Sequence, residues 1–322
     1  MSFRLLRTGL DPDQADLPPN KPILLAATDE STKAEGLWRL SSIREGRPSK
    51  LVQESCSFGP PIKARNAETV LFTRERFDQF PDLWLASSLA KLPEAVQITE
   101  ANPQQKEFVW GRSELITYTT SDGQKLPAVL TVPEDFDPNK KYPLMVYIYE
   151  RMANQLHRYV RPNVGTSINV SRYVSNGYIV LRPDISYRTG YPGESALKCV
   201  VPAVQEVTRR GFIDEQRIGI QGHSWGAYQI AYLITRTNLF RAVEAGAAVA
   251  DMVSAYGGIR YGTGMSRAFQ YERDQSRMGG MPWTDPLKYL ENSPIFWVDK
   301  VQTPYLTIHN DADGAEIGRA HV

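Results

Sequence analysis

A serine between two glycines, placed where a strand pattern gives way to a helix pattern, restricts the possible folds of this chain more than any other segment. The segment is Gly222-His223-Ser224-Trp225-Gly226. An apolar strand pattern at 217–220 precedes it, and an apolar helical pattern at 228–234 follows it. Side chains two positions from a serine on so sharp a turn would clash, which explains glycine at both places. The pattern predicts that Ser224 is an exposed nucleophile; the alternative is an ordinary turn serine.

Downstream of residue 112, apolar strands alternate with helical segments. A helix is predicted between residues 196 and 210, because apolar side chains recur there at helical spacing and Gly211 can end it. Pro202 predicts that this helix is kinked or starts late. Strand, helix and strand in succession predict a mostly parallel α/β sheet with helices on both faces. The predicted strands lie at 128–132, 144–149, 178–181, 218–220 and 305–308.

The first stretch, to about residue 112, has a different pattern. Short apolar runs are separated by Pro, Asn, Asp and Gly, which predicts antiparallel strands joined by turns. The stretch is too short for a closed propeller or barrel, and it has no clean repeat period. The runs lie at 22–25, 36–40, 69–72 and 82–85.

The composition argues against several classes of function. The chain has 37 Lys and Arg against 36 Asp and Glu, so it offers no basic field for nucleic acid. No stretch reaches the roughly 20 apolar residues that cross a bilayer. The sequence has 4 scattered histidines, a distant pair of cysteines, Cys56 and Cys199, and no phosphate-binding glycine loop. We therefore expect neither a metal nor a cofactor, and the compartment stays open.

Several motifs, taken in order, resemble the prolyl oligopeptidase family of serine peptidases. The resemblance covers about residues 110 to 315. It implies an α/β-hydrolase fold, preceded by strands of a partial β-propeller. The motifs are Ser121-Asp122-Gly123-Gln124 with Leu130-Thr131-Val132-Pro133, Lys141-Tyr142-Pro143-Leu144, Gly211-Phe212-Ile213-Asp214 leading to the Ser224 turn, Asn292-Ser293-Pro294, and His309-Asn310-Asp311-Ala312-Asp313.

The resemblance also implies how the chain divides. Residues 1–112 would be the C-terminal portion of a propeller-like domain. Residues 113–315 would be an α/β-hydrolase peptidase domain that is incomplete at its C-terminus. Residues 316–322 match the translation of a common sequencing-library adapter. We therefore expect a fragment, truncated at both ends, with a non-native tail after Ala315.

The resemblance assigns roles to individual residues. Ser224 is the nucleophile, Asp313 is the acid that orients the base, and the Tyr149 hydroxyl is one oxyanion donor. The other oxyanion donor is the N–H of Trp225, because the amide after the nucleophile has this role in the fold. The pocket for the residue before the cleaved bond would be lined by Tyr256 and Tyr261.

Each of these roles has a simpler alternative. Tyr149 can be a core tyrosine, because Glu150-Arg151-Met152 follow it where relatives often have two glycines and a proline. Asp313 can be a solvated turn acid, with Asp311 as its rival for the catalytic role. The two pocket tyrosines can instead pack on a helix face.

The sequence contains no histidine where this fold places the base. A serine hydroxyl needs a base to take its proton, and the order along the chain is serine, acid, histidine. Three of the four histidines precede the acid, and the last follows it too closely for the helix and strand expected between them. His223 adjoins Ser224, and adjacent side chains on such a turn point apart. We therefore expect the chain as written to be nearly inactive, to fold poorly and to associate through an exposed sheet edge. The histidines are His157, His223, His309 and His321.

The sequence thus predicts a serine-type peptidase that hydrolyses peptide bonds through an acyl-enzyme on Ser224. Its partner would be a peptide substrate, with neither nucleic acid nor a membrane span, and its oligomeric state stays open. One alternative is an esterase or other acyl hydrolase, since the fold does not determine the leaving group. A second alternative is a non-catalytic binding protein that kept the fold.

Overall fold

The computed structural model of this chain describes residues 1–7, 17, 19–20, 22–42, 46–162, 164–310 and 313–314. The chain forms two compact units. The first unit comprises Met1–Ser113 together with Asn154–Arg161, and the second comprises Glu114–Ala153 together with Pro162–Val322. The chain therefore leaves the second unit at residue 154 and returns to it at residue 162.

The first unit consists of antiparallel strands in two sheets, one of four and one of five strands. One face of each sheet is apolar, and the two faces share a buried cluster that includes Leu37, Val52, Val70 and Phe72. Small antiparallel sheets of this kind are the units from which propellers are built. The first sheet contains β1 (Ser2–Leu6), β2 (Ile23–Thr28), β3 (Glu35–Leu40) and β4 (Ser49–Glu54), and the second contains β5 (Ser57–Phe58), β6 (Ile62–Lys63), β7 (Val70–Arg76), β8 (Gln79–Ala86) and β9 (Val96–Gln97).

Residues 154–161, which we call the inserted segment, pack within the first unit through an aromatic side chain. The ring of Tyr159 stacks on Trp110 with centroids 5.2 Å apart, and it meets Phe80 edge-on at 5.2 Å. The Tyr159 hydroxyl accepts a hydrogen bond from Asn102 Nδ2 at 3.2 Å. An aromatic sandwich of this kind supplies much of the apolar contact that a short loop can make.

The inserted segment also carries charge into the first unit. Arg158 reaches Glu75 at 3.3 Å and Glu35 at 3.5 Å. Burial raises the pKa of Glu75, and the Arg158 guanidinium opposes that effect. Burial lowers the pKa of His157, and the nearby charge of Arg76 lowers it further. The segment therefore places one paired cation and one poorly solvated imidazole in this unit.

The second unit is built on a seven-stranded sheet in the order β10-β11-β13-β12-β14-β15-β18. The neighbours from β13 to β18 in that order are parallel, and β11 is antiparallel to β13. The strands are β10 (Arg112–Thr119), β11 (Lys125–Val132), β12 (Tyr142–Tyr147), β13 (Ile179–Pro183), β14 (Ile213–His223), β15 (Ala242–Gly246), the separate hairpin β16 (Ile259–Arg260) and β17 (Met265–Ser266), and β18 (Tyr305–Ile308).

Helices cover both faces of this sheet, as predicted. On one face, Val204 and Ile230 belong to the same buried cluster as Ile220 of β14. On the other face, the Tyr173 hydroxyl bonds to Gln221, the next residue of β14, at 3.3 Å. The helices are α1 (Val170–Ser175), α2 (Pro192–Thr208), α3 (Trp225–Ile234), α4 (Met252–Tyr256), α5 (Ala268–Arg273) and α6 (Pro286–Glu291), and the 3₁₀ turns are Leu89–Glu94, Pro103–Glu107, Ala153–Gln155 and Pro294–Lys300.

Helix α2 starts earlier than predicted and continues through its internal proline. Pro192 stands in the first turn, where the missing N–H has no intrahelical partner to lose. Pro202 cannot bond to the carbonyl of Lys198, and that oxygen instead accepts a hydrogen bond from the Ser121 N–H at 3.1 Å. The Lys198 ammonium also pairs with Asp122 at 2.6 Å. A turn from elsewhere in the unit thus replaces the helical hydrogen bond that the proline removes.

Candidate active site

Ser224 occupies the corner between β14 and α3. Its backbone has φ 53° and ψ −113°, in the left-handed region that is strained for a residue with a side chain. The Ser224 N–H donates to the Gly246 carbonyl at 2.7 Å, and its carbonyl accepts from Tyr228 N–H at 3.0 Å. The residue is only partly buried. The corner therefore holds a serine hydroxyl within reach of solvent, as a nucleophile requires.

The two glycines of the motif allow the chain to pack closely at this corner. A Cβ added to Gly226 would lie closer than 3.0 Å to the Ile148 carbonyl oxygen. A Cβ added to Gly222 would lie 2.9 Å from Ile230 Cδ1 and 3.2 Å from the same carbonyl oxygen. Both glycines are therefore required by the approach of the chain that follows β12.

Tyr149, which follows β12, lies beside this corner. Its ring approaches Gly226, because Tyr149 Cδ2 is 3.7 Å from the position of a Cβ on that glycine. Gln229 of α3 donates from Nε2 to the Tyr149 carbonyl at 2.8 Å and to the Trp225 carbonyl at 3.0 Å. Sequence reasoning missed Gln229, although a lone amide in an apolar helix was an available signal. Its side chain joins the loop that carries the phenol to the helix that follows Ser224.

Trp225 contributes a backbone amide and a buried ring. The residue is the first of α3, and the N–H groups of a helix's first turn have no acceptor within the helix. Such amides, together with the helix dipole, favour an anion at that end. The indole is buried and stacks on Tyr228 with centroids 4.6 Å apart. The ring therefore anchors the residue, and its backbone amide directly follows Ser224.

The residues after Tyr149 form an ion pair in place of a glycine-rich turn. Glu150 Oε2 pairs with Arg277 Nη2 at 2.8 Å, and the same guanidinium lies over the Tyr187 ring at 4.3 Å. The Asp184 carboxylate accepts from the Ala153 N–H at 2.7 Å. These carboxylates and the guanidinium thus brace the loop that follows Tyr149.

Asp313 lies within electrostatic range of His223, the residue before Ser224. Burial is the main effect on His223 and lowers its pKa, whereas the Asp313 carboxylate raises it and His309 lowers it. The rival acid, Asp311, and the tail from Ala315 onward, including the last histidine, lie outside the described residues. His157 belongs to the first unit.

The two predicted pocket tyrosines have different surroundings. Tyr256 is buried in the aromatic cluster that also contains Trp225, and its hydroxyl donates to Glu272 at 2.6 Å. Trp283, which sequence reasoning missed, meets the Tyr256 ring edge-on at 5.4 Å and is 69% exposed. Tyr261 is 59% exposed, and its N–H donates to the carbonyl of Gly314, the residue after Asp313. Tyr256 is thus near α3, and Tyr261 is near Asp313.

The described residues provide no group of three or more acidic, histidine or cysteine side chains that could hold a metal ion. Cys56 and Cys199 are buried free thiols, and burial raises the pKa of each. None of the helices that the structure describes has the length and apolar character of a membrane span.

Comparison with known proteins finds relatives of this chain in one family. The sequence profile of the prolyl oligopeptidase family matches residues 167–315. The chain is 24% identical over 325 residues to dipeptidyl-peptidase 5 of Porphyromonas gingivalis, covering 92% of the chain and 43% of that protein. It is 28% identical over 186 residues to human dipeptidyl peptidase 8, covering 52% of the chain and 19% of that protein. The chain thus spans less than half the length of these relatives.

Solved structures show the same fold. Acylaminoacyl peptidase of Pyrococcus horikoshii matches with a TM-score of 0.69 at 17% identity, covering 92% of this chain and 46% of that one. Dipeptidyl peptidase 4 of P. gingivalis matches with a TM-score of 0.68 at 20% identity, covering 91% and 41%. The chain contains a domain of the prolyl oligopeptidase family. The predicted α/β-hydrolase fold, preceded by strands of a partial β-propeller, is confirmed.

Proposed function

We propose that the protein is a serine peptidase that hydrolyses peptide bonds through an acyl-enzyme on Ser224. The observation that carries the proposal is the strained corner at Ser224, with φ 53°, beside which both the Trp225 amide and the Tyr149 ring lie. Backbone strain of this kind persists where the surrounding structure holds it, and it is concentrated at functional sites. A plain turn serine would need neither the strain nor the two closely packed glycines.

In the proposed reaction, the Ser224 oxygen attacks the carbonyl carbon of the amide while a base takes the hydroxyl proton. The tetrahedral oxyanion accepts hydrogen bonds from the Trp225 N–H and the Tyr149 hydroxyl. The C–N bond then breaks, and the proton passes from the base to the leaving amine. Water attacks the resulting ester with the help of the same base, releases the acid and restores Ser224.

The base in this proposal is a histidine that follows Asp313 in the full-length gene product, and Asp313 orients it. The order of the fold, which places the base after the acid along the chain, supports this assignment. Residues 316–322 would then be a foreign tail, which resequencing of the gene tests: native codons for these residues followed by a stop codon would contradict it.

Peptides are the proposed substrates because the relatives are named as peptidases and because propeller-type strands precede the hydrolase domain. In this proposal, residues 1–112 end a propeller, residues 113–315 form the peptidase domain, and Tyr256 and Tyr261 line the pocket for the residue before the cleaved bond. The rival esterase would turn over a simple ester but not the matched peptide amide. Measuring both substrates with the full-length gene product separates the two.

A fluorophosphonate probe, which reacts with an activated serine, tests the nucleophile. We expect the folded full-length protein to be labelled and to hydrolyse a peptide amide, and Ser224→Ala to lose labelling and at least about 10³-fold in kcat. The control is Ser175→Ala, which changes an exposed serine at the end of α1. A folded wild-type protein that is not labelled, or a Ser224→Ala variant that is, would contradict the proposal and favour a binding protein.

A further inference from the structure

The Tyr149 hydroxyl accepts a hydrogen bond in the structure. Gln275 Nε2 donates to Tyr149 Oη at 3.0 Å, and both side chains are partly buried. A phenol has one hydrogen to donate and oxygen lone pairs to accept with. Because the amide occupies an acceptor position, the phenol hydrogen stays available. Among the described residues, no side chain or carbonyl accepts that hydrogen.

The orientation of the Gln275 amide is determined through a second amide. Gln275 Oε1 accepts from Gln270 Nε2 at 3.5 Å, and Gln270 Oε1 accepts from Arg260 Nη2 at 3.0 Å. A guanidinium only donates hydrogen bonds, so the oxygen of Gln270 must face it. Reversing either amide would place two donors, or two acceptors, against each other. The single cation thus orients both amides, and the second one presents its N–H to the phenol.

The same region of chain is fixed to the loop that carries the phenol. Arg277 donates from Nη1 to the Gln275 carbonyl, and from Nη2 to the carboxylate of Glu150, the neighbour of Tyr149. One guanidinium therefore holds the backbone of Gln275 and the residue after the phenol together. The amide and the hydroxyl keep their relative positions because their two backbones share this contact.

We propose that Gln275 is a positioning residue: oriented through Gln270 by Arg260, it holds the Tyr149 oxygen as an acceptor and leaves the phenol hydrogen for the substrate oxyanion. The inference rests on the proposed peptidase function and deepens it. Gln275 does not touch the reacting atoms. It acts by keeping the phenol from donating its hydrogen elsewhere before the oxyanion forms, so that the donor needs no reorganisation during the reaction.

Replacing the amide by a carboxylate reverses the direction of the hydrogen bond. In Gln275→Glu, the carboxylate accepts the phenol hydrogen and withdraws it from the oxyanion. We expect kcat on a peptide amide to fall about 10²-fold with KM nearly unchanged, as for loss of one oxyanion donor. Gln275→Met keeps the size of the side chain but does not accept the phenol hydrogen as a carboxylate does, so kcat should fall less than about 10-fold. If Gln275 had only a structural role, the two variants would lose kcat equally, or Gln275→Met would lose more. That result would overturn the proposal.

A change farther from the phenol tests whether Gln270 orients the Gln275 amide. In Gln270→Glu, the carboxylate binds Arg260 and turns its second oxygen to residue 275, so the Gln275 amide reverses and presents its oxygen to the phenol. We expect kcat to fall about 10²-fold although residue 270 does not touch Tyr149. In the Tyr149→Phe background, the changes at 270 and 275 should each alter kcat less than about 2-fold, because the affected donor is gone. If either change still lowered kcat about 10²-fold in that background, the action of Gln270 and Gln275 through the Tyr149 hydroxyl would be refuted.

The side-chain amide of Gln275 gives a readout that needs no activity. In NMR spectra of protein labelled with ¹⁵N-glutamine, Tyr149→Phe should move the Gln275 NH₂ resonances, and Gln302→Glu, a control at an exposed glutamine, should leave them in place. Shifted resonances in a protein without peptidase activity would refute the proposed function and keep the hydrogen bond. Unshifted resonances in an active protein would refute the role of Gln275 and keep the proposed function.

Discussion

Ser224 holds a backbone conformation that costs about 1–3 kcal/mol in a residue other than glycine. Two hydrogen bonds hold it there, one from its N–H to the Gly246 carbonyl and one to its carbonyl from Tyr228. The chain before Tyr149 packs against Gly226 and closes the corner from the other side. The hydroxyl thus keeps its exposed position because three separate elements fix the residue.

Enlarging the second glycine of the motif should disturb this corner. In Gly226→Ala, the new Cβ meets the Ile148 carbonyl oxygen closer than 3.0 Å, so the backbone beside Tyr149 must shift. We expect the free energy of unfolding to fall by about 1–3 kcal/mol, with slower labelling of Ser224 by a fluorophosphonate. Urea denaturation and labelling rates measure the two effects.

Gly262→Ala is the matched control, because a Cβ there meets nothing within 4 Å. Its free energy of unfolding should stay within about 0.5 kcal/mol of the wild-type value. Equal effects of the two substitutions would show that the corner is not closely packed.

At the scale of an element, the inserted segment shows how a loop becomes part of another unit. Residues 154–161 follow the loop that carries Tyr149, yet their contacts lie in the first unit. Stacking of Tyr159 on Trp110 and pairing of Arg158 with Glu75 supply those contacts. The Arg158 side chain is about half exposed and its distances to the two carboxylates are 3.3 and 3.5 Å, so the ion pairs should contribute little and the aromatic contact should dominate.

Removing the Tyr159 ring should therefore destabilise the first unit. We expect Tyr159→Ala to lower its free energy of unfolding by about 1–3 kcal/mol, since the ring is only partly buried. Phe108→Ala is the control in the same unit, because Phe108 is 63% exposed and should change stability by less than about 0.5 kcal/mol. Chemical denaturation followed by tryptophan fluorescence compares them, and equal losses would contradict the aromatic anchor.

The imidazole in the same segment should make the first unit sensitive to acid. Burial lowers the pKa of His157 below its ordinary value, so the folded state resists protonation more than the unfolded state does. The stability it contributes is present above about pH 6.5 and is lost as the pH falls through the folded pKa. We expect His157→Gln to reduce the loss of stability between about pH 7.5 and about pH 5.5, measured by urea denaturation at both. If His157→Gln lost as much stability between the two pH values as the wild type, the acid sensitivity would come from another group.

At the scale of the whole molecule, the last strand of the large sheet is the feature with the widest consequence. Strand β18 lies at the end of the strand order and pairs with β15. Its Leu306 and Ile308 are 58% and 57% exposed, although strands of parallel sheets are usually covered on both faces. An apolar edge strand of this kind favours association with another chain.

We therefore expect this 322-residue chain to self-associate through β18. Leu306→Lys together with Ile308→Lys should lower the weight-average mass measured by sedimentation velocity, because charge on an edge strand opposes pairing. Leu287→Lys is the control, since Leu287 is 78% exposed on α6, away from that edge. Association that persists in the double variant, or that the control abolishes equally, would contradict this assignment.

Local patterns were sufficient for much of the architecture. The strands of the parallel sheet are continuous apolar runs, and the corner at Ser224 requires glycine two residues away on either side, so both could be predicted without coordinates. The local sequence could not show that helix α2 continues through Pro202, because the Lys198 carbonyl freed by that proline is satisfied by the Ser121 N–H, a contact distant in the chain. The strong local periodicity of buried elements thus carries most of the information about their type.

By itself, the sequence determined the alternation of strands and helices after residue 112, the sharp corner at Ser224 and the motifs of the family, because each of these follows from residues close together in the chain. Only the tertiary structure decided that residues 154–161 pack in the first unit and that Gln275 donates to Tyr149. Both depend on side chains far apart in the sequence, for which no local period or spacing exists. Their partners were defined only when the folded chain brought the backbones together.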